Sequence, residues 1–397
     1  MIQSHERLEK INKYILGIIC LIFGIIGVCA SKGMTVLAIL AGITGIGAWL
    51  RSAKPLTSLF TLPVMILIAL LSWSEISAFW ALDMAGAMKL GLRLALLILL
   101  GVFAIRLASE KQISLQGLVP IGYLLGLLTL GTGYAYAKTY GDSLWGSYFF
   151  DPLTTLNNGS AIMALLLCPV SVILWKQDRR VQAGFLIGIV LGALFFLSSG
   201  AAILAVMSAA VVFFLVATFG KPATITIGSL VALLTLTAPE VASYTLKSEP
   251  VYKVLSNTPP SVDHRVKMWE FVTMKISERP VLGHGMDASR HIPQDAYRLA
   301  PNMEIMPLHP HNAPLQIRLE LGWPGSILAA LFLFALFRYI ARNGSDRVTL
   351  AMRAGSICAY LSIGAVSYGV WQNWWVSTAL VLAMITEIAS EQEDDGI

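Results

Sequence analysis

Long apolar runs alternate with short polar punctuation almost from end to end of the chain, and one polar window late in the sequence breaks that rhythm. A helix that crosses about 30 Å of hydrocarbon needs about 17 to 25 residues. Runs of that length are centred near Ile22, Ile43, Ile66, Ile98, Leu125, Leu167, Leu191, Ala209, Leu230, Leu331, Leu361 and Leu382. They predict an all-α, polytopic membrane protein with about 12 transmembrane helices. The apolar stretch around Ser198 and Ser199 must be cut in two to reach that number, and a single buried hairpin is the alternative there. The chain then divides into an N-terminal bundle of about nine helices over 1–238, a polar window over 239–321, and C-terminal helices with an acidic tail over 322–397.

Composition closes off the soluble alternative. With 56% apolar residues, 13% charged residues and a mean hydropathy of +0.71, the chain has more apolar surface than a water-soluble core of its size could hide. With an even number of spans both termini share a side. The loops on that side carry Arg7, Lys10, Lys13, Arg51, Lys54, Arg106, Lys111, Lys176, Arg179, Arg180, Lys221, Arg338, Arg342 and Arg347, whereas the short loops opposite carry only Lys32, Lys89 and Lys138. The positive-inside rule therefore places both termini in the cytoplasm and the polar window outside it. The net charge of +5 is a topology signal and calls for no nucleic-acid partner. Cys20, Cys29, Cys168 and Cys358 all fall inside predicted spans, as small packing residues. The first apolar run shows no processing site of the kind that follows a cleaved signal peptide.

Three extracytoplasmic segments hold candidate chemistry. In Ser72–Arg93, Trp73, Phe79 and Trp80 suit the aromatic belt at the membrane surface, and Lys89 and Arg93 share a helix face. Arg93, about one turn below the surface, either marks a substrate path or snorkels to the interface. Lys138–Asn158, with Asp142 and Asp151, is a second candidate or a plain connector.

The third is the polar window, which holds His264, His284, His291, His309 and His311. Pro259 and Pro260 break the chain, Ser261 can cap a helix, Asp263 favours its N-terminal end and Pro280 stops it near Arg279. On that helix Arg265, Met268, Trp269, Val272 and Ile276 share a face, which either lies on the membrane or aims Arg265 at a phosphate. Further on, Asn312 is a good N-cap, Pro314 is tolerated in a first turn and Gly322 is a C-terminal signal. His311 then sits just before a helix N-terminus, which favours a neutral imidazole and a bound anion. Gln316 and Glu320, one turn apart, could line the same pocket. Three readings of the histidines stay open: a zinc site using His309 and His311, incidental loop residues, and a base or anion-site His311. The window has no HExxH and no cysteine, so no metal ligand set is assigned.

Arg265, Trp269, Pro280, Gly283 and Gly285, followed by His311-Asn312, Leu315-Gln316, Glu320 and Gly322, resemble the signature of the O-antigen ligase and polymerase superfamily. Ser77–Ala87 resembles that family's first extracytoplasmic loop. The resemblance implies a GT-C-type glycosyltransferase of the bacterial inner membrane, with a large periplasmic loop containing amphipathic helices. Such enzymes pass a glycan from undecaprenyl pyrophosphate to an acceptor without metal, cofactor or nucleotide sugar. On that reading His311 activates the acceptor hydroxyl and Arg265 holds the pyrophosphate. Within the superfamily the expected member is an O-antigen ligase whose acceptor is lipid A-core, because no soluble domain is present to recognise a protein.

One departure stands out. The family often carries Ser-Arg-Gly at the outer end of a middle helix, where this chain reads Leu197-Ser198-Ser199-Gly200-Ala201. A second phosphate ligand must then come from elsewhere, with Arg93 and Arg318 ranked first and Arg290, Arg298 and Lys89 behind them. Asn312, Gln316, Glu320, Trp269 and His309 complete the expected substrate-binding set. An O-antigen polymerase, a protein O-oligosaccharyltransferase and a polysaccharide transporter are the alternatives, in that order.

Overall fold

The computed structural model describes residues 2–52, 54–110, 115–141, 144, 152–246, 248, 260–294, 298–300, 303–344 and 346–391. Asp142 and Asp151, the side chains of Ser261 and Arg298, and the tail beyond Glu391 lie outside the described residues.

All twelve expected runs are helices. In chain order they are α1 (Ile2–Cys29), α2 (Met34–Arg51), α3 (Leu62–Ser77), α4 (Met84–Ala108), α5 (Leu118–Tyr140), α6 (Pro152–Lys176), α7 (Arg180–Phe196), α8 (Gly200–Phe219) and α9 (Lys221–Leu246). After α10 (Pro260–Glu278), the helix of the polar window, come α11 (Ala313–Asn343), α12 (Arg347–Gly364) and α13 (Asn373–Ser390). Among the described residues nine are long and apolar enough to cross a membrane by length and composition, and α7 is a shorter apolar helix. The chain is a multi-pass, all-α membrane protein. Its only described strands are a short antiparallel ribbon, Arg298–Ala300 against Met303–Glu304.

The cut near Ser198 is real. Ser198 takes a left-handed φ of 51° between α7 and α8, so the stretch is two helices. Pro260 opens α10, two residues before the start that a Ser261 cap would give, in a first-turn position that needs no N–H. The window boundary at 238/239 falls inside α9, which continues through Pro239.

Because the helices alternate in direction, their loops gather at two ends of the bundle. At one end Lys54 pairs with Glu110 at 2.7 Å, and Lys176 and Gln116 donate to the last carbonyls of α13. At the other, Asn158 donates to Ser31 Oγ at 3.1 Å and the Met286 N–H to Ser77 Oγ at 3.0 Å. α6 is the central helix, 78% buried across its apolar window, whereas α9 is 17% buried and faces outward. α1 and α5 touch backbone to backbone, since a Cβ on Gly122 would strike the Cys20 carbonyl and one on Gly24 the Gly122 carbonyl. Small residues at such crossings are how apolar helices gain contact where lipid offers as much hydrophobicity as protein.

The polar window folds onto the bundle and is not a detached loop. Met268, Phe271, Val272 and Ile276 of α10 bury against Ala288, Ile292, Ile305, Met306, Leu315 and Leu319. Protein therefore covers the apolar face of α10, against the one of the two readings that laid this face on the membrane. α11 is broken at Gly322, where φ is +62°. The carbonyls this break frees are taken up locally: Leu319 O accepts from His284 N at 2.9 Å, Glu320 O from Gly285 N at 2.8 Å and Leu321 O from the Trp73 indole at 2.9 Å. Satisfying those acceptors makes a buried kink affordable.

Candidate active site

The end of the bundle that carries Ser31 and Ser77 opens into a cavity of about 2180 Å³. Its mouth is polar, lined by Ser31, Lys32, Asn157, Asn158, Arg265, Trp269, His309, His311, Asn312 and Tyr368. Below, it runs between α8, α9 and α12 past Leu204, Val211 and Leu230 to Leu215 and Ile227. Leu215 is fifteen residues along α8 from Gly200, so this apolar arm is about 22 Å deep. A second apolar lobe lies among Leu67, Leu71, Leu94, Ile98 and Leu380 of α3, α4 and α13. Among the described residues no carboxylate lines the cavity, whereas Lys32 and Arg265 do. Such a mouth favours an anion, and such walls favour hydrocarbon.

His311 is held from three directions. It takes a left-handed φ of 53°, at the turn just before α11. Asn312 caps that helix, its side chain accepting from Leu315 N at 3.0 Å, as expected. The indole of Trp269 donates to Pro310 O at 2.8 Å and so fixes the His309-Pro310-His311 turn to α10. The Nδ1 of His311 bonds to the carbonyl of Ser367, in the loop between α12 and α13. A carbonyl only accepts, so Nδ1 carries the proton and Nε2 keeps its lone pair. Burial holds the His311 pKa below its ordinary value, the Ser367 bond partly opposes this, and the nearby Arg265 charge pushes the same way as burial.

His309 is neutral for a stronger version of the same reason: burial, then the neighbouring His311 and Arg290, bring its pKa down to about 3. Its Nδ1 accepts the His311 backbone N–H at 3.2 Å, and its Nε2 lies 3.2 Å from the Gln372 side-chain amide. The two imidazoles meet edge to face, 4.4 Å between centroids. Among the described residues no three His, Cys, Asp or Glu side chains converge as a metal site would need.

The remaining histidines are elsewhere. His264 Nε2 lies 2.8 Å from Ile305 O, His284 Nε2 lies 2.9 Å from Lys275 O, and His291 is 3.9 Å from Asp83.

Several expected substrate contacts do not reach the cavity. Gln316 and Glu320 do meet, at 3.1 Å, but behind the wall. Glu320 is fully buried and accepts from Asp287 N at 2.8 Å, from the Ser289 hydroxyl and from the Trp371 indole. Gln316 Oε1 accepts from Val370 N at 3.0 Å. Together they tie the 285–290 turn and the 365–372 loop to α11, supporting the site from behind. Arg318, a favoured second phosphate ligand, points away. It is 1% exposed, bonds to Glu240 at 3.1 Å and Leu236 O at 2.9 Å, and stacks on Trp323. Lys89 and Arg93 are exposed on α4, off the cavity wall, with Arg93 Nε donating to Lys89 O. Arg290 pairs with Asp287 at 2.9 Å near His309 and is also off the wall.

What sequence reasoning missed is the C-terminal loop with Ser367 and Tyr368, and Lys32. The lysine did leave a signal, as one of few cations on the side that the charge rule leaves poor in them. The two segments carrying the family resemblance do meet: a Cβ on Gly285, at φ +91°, would collide with Ala81.

A family model described as O-antigen ligase matches residues 185–330, which span α7 to the middle of α11 and include Arg265, His309 and His311. Relatives named "Putative polysaccharide ligase" occur in Rickettsia species. That of Rickettsia conorii is 28% identical over 329 residues, 80% of this chain and 77% of the relative. That of Rickettsia typhi is 29% identical over 246 residues, 59% of each chain, and that of Rickettsia bellii 36% identical over 138 residues, 33% of each. These matches span both the bundle and the cavity mouth, and they support assignment of the chain to the O-antigen ligase family.

Proposed function

We propose that the protein is a glycosyltransferase of the bacterial inner membrane that moves a polysaccharide from undecaprenyl pyrophosphate to lipid A-core on the periplasmic side, both termini being cytoplasmic. One observation carries the reading: Arg265 and His311 share the mouth of a cavity that no carboxylate lines among the described residues, and whose floor continues as a deep apolar arm. A polyprenyl diphosphate is an anion on a long hydrocarbon, and the arm suits its chain as the mouth suits its head. The relatives' name, polysaccharide ligase, points to the same class of transfer.

In this mechanism the acceptor hydroxyl attacks the anomeric carbon in line. The bond from that carbon to the diphosphate oxygen breaks, with inversion. The hydroxyl proton passes to Nε2 of His311, whose Nδ1–H is anchored on Ser367 O. Arg265 neutralises charge that grows on the leaving diphosphate, work suited to a planar, always-charged guanidinium. His309, neutral and immobilised beside it, keeps the His311 turn in place without adding a competing positive charge.

The test is transfer by purified protein from undecaprenyl-pyrophosphate glycan to lipid A-core in EDTA, with wild type, His311→Ala and Arg265→Ala side by side. Transfer by wild type alone is the expected result. Glycan chains that lengthen with lipid A-core untouched would instead make it a polymerase, and activity that needs a divalent ion would remove His311 from the role of base.

A further inference from the structure

We propose that Lys32 is the second cation that grips the diphosphate of the donor, together with Arg265 on the same cavity wall; the inference rests on the donor reading above. The argument begins from charge. A diphosphate carries about two negative charges at neutral pH, and Arg265 supplies one positive charge. The two imidazoles at the mouth are both held neutral, so they add none. The Ser198–Gly200 turn lines the mouth but contributes no cation. Lys89, Arg93, Arg290 and Arg318 are off the wall, and among the described residues Lys32 is the one other cation on it.

Lys32 is also placed by a run of hydrogen bonds that leads to the histidine. It sits in a 3₁₀ turn, Ser31–Gly33, between α1 and α2. Ser31 Oγ accepts from Asn158 Nδ2 at 3.1 Å, and the preceding Asn157 offers its carbonyl to the Tyr368 hydroxyl at 3.4 Å. Tyr368 follows Ser367, whose carbonyl anchors His311. The backbone that aims His311 is thus tied, through α6, to the turn that presents Lys32. Tyr368 is itself clamped edge-on by Trp374, 4.6 Å between centroids. Lys32 is exposed and has no carboxylate partner among the described residues, so its charge is available. A compact ammonium on a flexible stem suits a phosphate as a point charge, whereas Arg265 suits the bidentate contact.

Equilibrium binding of undecaprenyl diphosphate and undecaprenyl monophosphate to the full chain in nanodiscs tests this, with wild type, Lys32→Ala, Lys32→Arg and Arg265→Ala. Wild type should prefer the diphosphate. Lys32→Ala should bind it about tenfold more weakly, the scale of one lost charge-assisted contact, and lose the preference, while Lys32→Arg keeps both. Unchanged diphosphate binding in Lys32→Ala beside weakened binding in Arg265→Ala would overturn the role of Lys32 and leave the donor reading standing. A wild type that does not prefer the diphosphate would bring down the donor reading and this inference with it. A Lys32→Ala protein that melts lower and is not rescued by Lys32→Arg would assign the lysine to the fold and equally overturn the proposal.

Discussion

The Trp371 indole donates to the carboxylate of Glu320, joining the loop after α12 to the first segment of α11. The same carboxylate receives the N–H of Asp287 and the amide of Gln316, so three segments of chain meet on one buried side chain. Two of those segments carry His311 and its anchor Ser367. The position of His311 therefore depends on a residue that does not touch the cavity.

Glu320→Ala should be among the most damaging single changes outside the cavity. It strands several buried donors, at a cost of about 1 to 3 kcal/mol for each that finds no water. The expected outcome is a lower melting temperature in detergent together with loss of transfer. Glu320→Gln, which keeps the volume but turns half of the acceptor into a donor, should fall between. A Glu320→Ala protein that melts with wild type would remove the carboxylate from this role.

Gly322 and Gly283 approach back to back where α11 breaks. Gly322 has φ +62° and Gly283 φ +70°; a Cβ on the first would strike the Val281 carbonyl and one on the second the Glu320 carbonyl. Either alanine variant has both a left-handed backbone and a collision to relieve, whereas glycine to alanine at an ordinary exposed helical position is favourable by about 1 kcal/mol. Both should reduce the yield of folded protein by size-exclusion chromatography. Gly200→Ala, with open space around its Cα, should not.

The helix pattern was legible because each span is a run with its own punctuation, down to the break at Ser198 and the Asn312 cap. What local pattern does not set is how a helix is turned about its axis. Gln316 and Arg318, two residues apart, lie about 200° apart around α11 and could never have faced one cavity together. Tertiary packing turned both away and left Ile317 on the wall. Lys32 was hidden for a different reason. Its neighbourhood is assembled from α1, α6 and the loop after α12, and no window of sequence contains all three.

The arginines separate by what each touches. Arg265→Ala should lower kcat/KM for transfer by about 100-fold, the scale of losing one electrostatic contact to a leaving group. Arg93→Ala, an exposed side chain off the wall, should stay within about twofold. Arg318→Ala should show itself in stability, because it empties a site packed on Trp323 and leaves Leu236 O without its donor. Measuring melting temperature and transfer for all three checks the division. A large kinetic defect in Arg93→Ala with an unchanged melting temperature would contradict it.

The pH profile follows from the two imidazoles. An unfolded histidine titrates near 6.5, while burial brings His309 down to about 3 and holds His311 below its ordinary value. Between those pH values the unfolded chain binds more protons than the native one, so the stability these residues contribute is complete above about 6.5 and is lost as pH falls through their native pKa values. Transfer should fall over the acid range too, because a protonated His311 has no lone pair for the acceptor proton. The acid limb of kcat/KM should therefore have its midpoint below 6.5, and Arg265→Ala should move it upward, since the guanidinium charge is one of the influences holding it down. Residual activity in that variant suffices to read the midpoint. A wild-type limb centred at or above 6.5 would mean that another group controls the reaction.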